Sequence, residues 1–212
     1  MIRETGQLDD TLVIITADHG EMLGDHFLWG KDSFHEAANH VPLIIRDPDN
    51  PAAFGKRVDA FTESVDVTPT ILDWIGGRIP AGMDGRSLTS FLAEPDRLPS
   101  RWRDHVYAEF DFGDPGEPTV WQRRLGLPLR NANLVLIRED RYKLVHFNGG
   151  LEPLLFDMHS KAGETRNLAG DPDHSGTVLR LTRKLLNHRI RHQDHRLSDT
   201  KLTATGTVNF EG

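Results

Sequence analysis

Residues 16–36 hold most of the side chains in this chain that could do chemistry together. Thr16-Ala17-Asp18-His19-Gly20-Glu21 sets a carboxylate beside an imidazole. Both can reach one divalent cation if the backbone turns sharply after them, and Gly20 permits such a turn. The competing reading is structural, with Asp18 as a helix N-cap and His19 as a solvated loop residue. Leu23-Gly24-Asp25-His26 brings a second Asp-His pair, and Trp29-Gly30-Lys31 follows with a lone lysine between Gly30 and Asp32. An ammonium near a metal suits a substrate whose transition state carries anionic oxygens, because it neutralises charge on a nonbridging or leaving oxygen. Most lysines, however, are simply solvated. Asp25 and His26 either orient metal ligands or form a solvated turn. Glu36 and His40 share helical spacing and either reach the site or face water.

The elements around these residues can be read from periodicity. Leu12-Val13-Ile14-Ile15 and Val41-Pro42-Leu43-Ile44-Ile45 are continuous apolar runs, the pattern of strands buried on both faces of a parallel sheet. The first run ends just before Asp18, where open α/β sheets place their ligands. Residues 1–10 read as the tail of a helix. A helix is expected from Ser64 or Asp66 to Ile75, with Val67, Ile71, Leu72 and Ile75 on one face and Gly76-Gly77 as the stop. A short helix is expected over Ser87 to Leu92. Beyond Pro99 the short runs at 106–110, 134–137, 142–145 and 154–156 predict an antiparallel sheet. Val178, Leu179, Leu181, Leu185, Leu186 and Ile190 predict an amphipathic helix covering one face of it. After His192 the chain is polar, and Leu197, Leu202, Val208 and Phe210 are too few for a core; the tail is expected not to pack on its own chain but either to stay disordered or to lie as an extended arm on a neighbouring subunit.

Composition narrows the function. Lys and Arg number 25 against 32 Asp and Glu, a formal charge of −7, which argues against nucleic-acid partners and anionic membranes. No apolar stretch approaches the roughly 18 residues of a membrane span, and no secretory leader is evident; the expectation is a cytoplasmic protein. With no Cys, thiolate metal sites and a cysteine nucleophile are excluded. Arg101-Trp102-Arg103 and Trp121-Gln122-Arg123-Arg124 could stack on an anion, but packing is the commoner role of Arg beside Trp. The basic run from Arg180 to Arg196 reads as a solvated helix face or a contact with an acidic neighbour.

Taken together, Thr16 to Glu21, Leu23 to His26, Trp29 to Lys31, Phe34 to Glu36 and Val41 to Ile44 resemble the C-terminal half of the sulfatases of the alkaline phosphatase superfamily, and within it the branch of phosphonate monoester hydrolases and phosphodiesterases. Ser64-Val65-Asp66-Val67-Thr68-Pro69-Thr70, Asp84-Gly85-Arg86-Ser87-Leu88, and Leu155-Phe156-Asp157-Met158 followed by Gly163-Glu164-Thr165-Arg166-Asn167-Leu168-Ala169 extend the resemblance to residue 169. The resemblance implies an α/β fold: the C-terminal part of an alkaline-phosphatase-like core over residues 1–100, then a small subdomain of antiparallel sheet plus helix over 101–212. It also implies hydrolysis of a small anionic ester, a sulfate ester, phosphonate monoester or phosphodiester. Asp18 and His19 fall on the family's ligands for a divalent ion (Mn, Zn or Ca), and Lys31 falls on the lysine that contacts the sulfuryl or phosphoryl group.

In that family the nucleophile is a formylglycine made within Cys/Ser-x-Pro-x-Arg. None of the eight serines here begins that pattern, and no Asp-rich strand precedes Asp18. The expectation is therefore a piece of a larger enzyme, silent alone, which needs the missing N-terminal half or a partner chain and tends to form homo-oligomers. A noncatalytic accessory or assembly module on the same fold is the rival reading.

Overall fold

The two apolar runs near the start form strands, but they pair in the opposite sense to the one expected. In the computed structural model, which describes residues 2–193 and 200–209, β1 (Val13–Thr16) and β2 (Leu43–Arg46) are antiparallel, with Ile14 opposite Ile45 and Ile15 opposite Ile44. A parallel pair needs a crossover of a dozen or more residues, usually a helix. The connection here is long enough for that, but besides loop it holds only a 3-10 turn, Asp25–Phe27, and one four-residue helix, α1 (Glu36–Asn39), so no helix lies across the pair as a crossover. Burial on both faces is also absent: Ile15 is 54% and Ile44 58% exposed, so these facing residues share an apolar patch that no described element covers. The first ten residues are not helical either. Residues 2–6 are turn and Gln7–Asp9 is a single 3-10 turn, entered through Gly6 at φ 72°.

After β2, the buried Asp47 carboxylate accepts the Trp74 indole N–H at 3.0 Å and so fastens α2 (Val67–Trp74) to the strand end. The 3-10 turn Ser64–Asp66 leads into α2. The expected face differs in detail. Ile71 and Ile75 are exposed, whereas Asp66, Pro69 and Thr70 are buried, because this side of α2 meets a polar loop rather than an apolar layer. Asp66 accepts the backbone N–H of Glu63 at 2.8 Å and of Arg86 at 2.7 Å, and both Arg103 terminal nitrogens. Gly85 sits so close that a Cβ would fall 1.9 Å from the Val65 carbonyl oxygen. Those contacts bind residues 63–70, 84–88 and 101–103 into one joint, with α3 (Thr89–Ala93) following. Trp102 lies edge-on to Phe91 and donates to the Phe61 carbonyl at 2.8 Å, so Arg101-Trp102-Arg103 is a packing element.

The expected antiparallel sheet is a four-stranded meander, β3 (His105–Asp111), β4 (Asn133–Glu139), β5 (Tyr142–Phe147) and β6 (Leu154–Asp157), in the order β3-β4-β5-β6. The helix α4 (Val120–Leu125), capped by Thr119, lies between the first two. Successive β4 side chains go to opposite faces. Val135 and Ile137 join Leu144, Leu155, Leu168, Leu181 and Leu185 under α5 (Ser175–Arg191), while Leu134 and Leu136 join Phe112, Val145 and Phe156 on the far face. Phe34, next to α1, packs into that far cluster, so the sheet supports the segment around residues 16–40. On α5 only Val178, Leu181 and Leu185 pack inward; Leu179, Leu186 and Ile190 are at least half exposed.

Near the end, β7 (Thr200–Thr203) and β8 (Gly206–Asn209) form an antiparallel pair whose side chains at 201–208 are exposed. Leu197 and Phe210, part of the expected arm, lie outside the described residues. Among those residues no helix is long and apolar enough to cross a membrane.

Candidate active site

The chain leaves β1 at Thr16 and carries Asp18 and His19 out to the surface, with side chains 85% and 39% exposed. His19 Nδ1 lies 2.8 Å from the Gly20 carbonyl oxygen, and Nε2 lies 3.5 Å from Asp18 Oδ2. With the proton on Nδ1, donated to that carbonyl, the Nε2 lone pair is left on the Asp18 side. A backbone carbonyl holding the other ring nitrogen is how metal-binding histidines are commonly oriented. The donor set, one carboxylate oxygen and one imidazole nitrogen at this separation, fits two ligands of one divalent ion and leaves its remaining positions open.

What holds the pair is α1. The Gly20 N–H donates to Ala38 O at 2.8 Å and the Glu21 N–H to Ala37 O at 3.0 Å. A Cβ on Gly20 would fall 2.0 Å from Ala37 O. The glycine is therefore required for close backbone approach rather than for the turn expected of it; its φ is not in the left-handed region. From Glu21 the loop closes on itself. The Met22 N–H donates to Gly30 O at 2.9 Å, and the Gly30 N–H donates to Glu21 Oε1 at 2.5 Å. Met22 is buried under this closure. Lys31 follows at once, exposed, with no ion pair among the described residues. The structure thus brings Asp18 and His19 together and joins Lys31 to them through the backbone of one stitched loop, not by side-chain contact.

Asp25 and His26 do not touch the pair. They form a 3-10 turn, and the His26 ring stacks on His35 with centroids 3.7 Å apart and planes 6° from parallel. His26, His35 and Glu164 offer ligand atoms within 4.8 Å of one another. A metal lies in the plane of each imidazole that binds it, and two parallel planes 3.7 Å apart share no such point. The Lys143 ammonium, 2.8 Å from Glu164 Oε1, already provides a cation there.

Lys143 had no signal in the sequence, because a lysine in a β-strand ordinarily points to water. It is fully buried. Its ammonium bonds Glu36 Oε1 at 3.0 Å and Glu164 Oε1 at 2.8 Å, while Glu164 Oε2 accepts the Glu36 backbone N–H at 2.9 Å. Arg138 Nε approaches Glu36 Oε2 at 3.5 Å, and His35 Nδ1 stands 3.5 Å from Glu164 Oε2. The latter separation is too long for a good hydrogen bond, and the nitrogen is buried without one. Burial on its own would raise the Glu164 carboxyl; the neighbouring His35 ring, the Lys143 ammonium and the Glu36 amide outweigh it and hold the pKa at about 2. Glu36 therefore faces the sheet as well as His40, whose Nδ1 is 3.7 Å from Glu36 Oε2.

Residues 1–77 match the family described as Sulfatase. The multifunctional alkaline phosphatase superfamily protein PehA of Trinickia caryophylli is 42% identical over 205 residues, covering 96% of this chain and 39% of that protein. An N-acetylglucosamine-6-O-sulfatase of Bacteroides thetaiotaomicron is 29% identical over 212 residues, covering 100% and 35%. The phosphonate monoester hydrolase SpPMH from Silicibacter pomeroyi superposes with a TM-score of 0.88 at 47% identity, covering 99% of this chain and 40% of that one. The chain thus spans about two fifths of the length of the relatives it matches.

Proposed function

We propose, from the match of residues 1–77 to the Sulfatase family, that this chain supplies the C-terminal portion of a metal-dependent hydrolase of sulfate esters, phosphonate monoesters or phosphodiesters. The observation that carries the reading is the Asp18–His19 pair, with the imidazole held through Nδ1 and Nε2 turned to the carboxylate. Asp18 and His19 would hold a divalent ion, whose bound form supplies a Lewis acid for an ester oxygen. Lys31, exposed and without an ion pair among the described residues, would neutralise charge on an anionic ester oxygen. Gly20 and α1 keep the two ligands in register, and Glu21 holds the loop that presents Lys31. The nucleophile and the remaining carboxylate ligands come from outside these residues, from the N-terminal half or from a partner chain.

The test offers p-nitrophenyl sulfate, p-nitrophenyl phenylphosphonate and bis-p-nitrophenyl phosphate, with Mn²⁺, Zn²⁺ or Ca²⁺, to the chain alone and to the chain joined to a nucleophile-bearing half. The chain alone is expected to be silent and the joined protein active, with Asp18→Ala losing activity and metal affinity together. Lys31→Ala is expected to lower turnover by about 10²-fold or more. Full activity of the Asp18→Ala protein would remove that residue from the site, and an inactive joined protein would favour the accessory-module reading.

A further inference from the structure

Glu164 lies 128 residues after Glu36, yet its carboxylate caps the first amide of α1. We infer that Glu36, Lys143 and Glu164 form a latch through which the C-terminal sheet positions the loop bearing Asp18, His19 and Lys31, so that Lys143 and Glu164 are positioning residues for the hydrolytic site; this rests on the reading proposed above.

The geometry gives a short and continuous path. α1 has four residues, far too few to be stable unaided. One end of it is fixed by Glu164 Oε2 on the Glu36 amide and by the Lys143 ammonium on the Glu36 carboxylate. From its other end the Ala37 and Ala38 carbonyls accept the N–H groups of Glu21 and Gly20, next to His19. Lys143 stands opposite Phe156 in the β5–β6 register, on the face where Phe34 stacks at 6.2 Å from Phe156. A shift of α1 against the sheet would therefore carry residues 19–21 with it.

Chemistry favours placement over stability as the role. A buried ammonium between two carboxylates gains little net stability over an apolar filling of similar volume, since Lys143 and Glu164 lose nearly all of their hydration and Glu36 much of it. It does fix direction: Lys143 meets both carboxylates, and Glu164 uses one oxygen for the ammonium and the other for the amide. Only one placement of α1 satisfies all of these. The Glu164 in the segment 163–169 thus acquires a structural reason that its distance in sequence from Asp18 conceals.

The experiment measures amide hydrogen exchange and Mn²⁺ or Zn²⁺ calorimetry on the full chain for wild type, Glu164→Ala, Glu164→Gln and the triple variant Glu36→Gln, Lys143→Met, Glu164→Gln. The triple variant removes the buried ammonium together with both of its carboxylates and leaves the part-exposed Arg138 without its Glu36 partner, so it remains informative where Glu164→Ala fails to fold. The expected result is exchange about tenfold faster in residues 18–21 and 31–40, with the β3–β6 amides unchanged, and metal affinity 10- to 100-fold weaker. Glu164→Gln, which keeps an acceptor for the Glu36 amide, should recover part of both. Unchanged exchange in residues 18–40 of a folded variant, or exchange that rises equally throughout the chain, would overturn the latch. Wild-type chain that binds neither metal would instead count against the metal site, and the exchange measurement would still decide the latch.

Discussion

Gly20 illustrates how a single residue's chemistry can be legible while its reason is not. Asp-His-Gly suggests a turn that gathers ligands, and Asp18 and His19 do stand together. The glycine, however, serves the contact with α1, where a methyl group would sit 2.0 Å from a carbonyl oxygen. Nothing in residues 18–21 discloses that neighbour. We expect Gly20→Ala to destabilise the chain by about 1–3 kcal/mol, the usual cost of forcing atoms into a packed contact, and to weaken metal binding because the loop must move off α1. Urea denaturation and calorimetry on the same preparation check both. The partners of Lys143 were equally hidden, since Glu36 and Glu164 lie 107 and 21 residues away.

At the scale of elements, the meander was readable because Leu134-Val135-Leu136-Ile137 and its neighbours are apolar enough to feed both faces of a covered sheet. The sense of β1 and β2 was not. A continuous apolar run signals a strand, but its partner's direction and its covering depend on residues elsewhere in the chain, and Ile15 and Ile44 remain open. For α5 the periodicity located the helix but chose too broad a face. At 100° per residue, Leu179, Leu186 and Ile190 fall more than a quarter-turn from Leu181 and Leu185. Leu181→Ala is therefore expected to cost about 2–5 kcal/mol, whereas Leu186→Ala, 54% exposed, should change stability by roughly 0.5 kcal/mol or less. Thermal unfolding of the two variants separates them.

Acid should loosen the molecule in two stages. The His188 ring, on α5, is held neutral down to about 4, below its ordinary 6.5, first by burial and then by the neighbouring His192, His105 and Arg191 charges, with Asp84 opposing. It stacks on Tyr107, and its Nδ1 is 3.3 Å from His105 Nε2. The unfolded chain protonates this group between pH 6.5 and 4 while the folded chain does not, so stability falls across that window. Glu164, held at about 2 against an ordinary 4.5, then contributes stability that is intact above pH 4.5 and is lost as pH falls towards 2. Chemical denaturation at pH 7, 5.5, 4 and 3 should show both slopes. Glu164→Gln should flatten the lower slope and leave the upper one in place; a single slope confined to the lower range would exclude the His188 contribution.

The separation of Glu36 from Glu164 along the chain also sets an order of events during synthesis. At roughly 5–20 residues per second, the ribosome needs on the order of ten seconds after making α1 before Glu164 exists to cap it. For that interval Asp18 and His19 are attached to a helix too short to hold its own shape. Their geometry consequently matures only once the C-terminal sheet has been made, well after their own codons have been read.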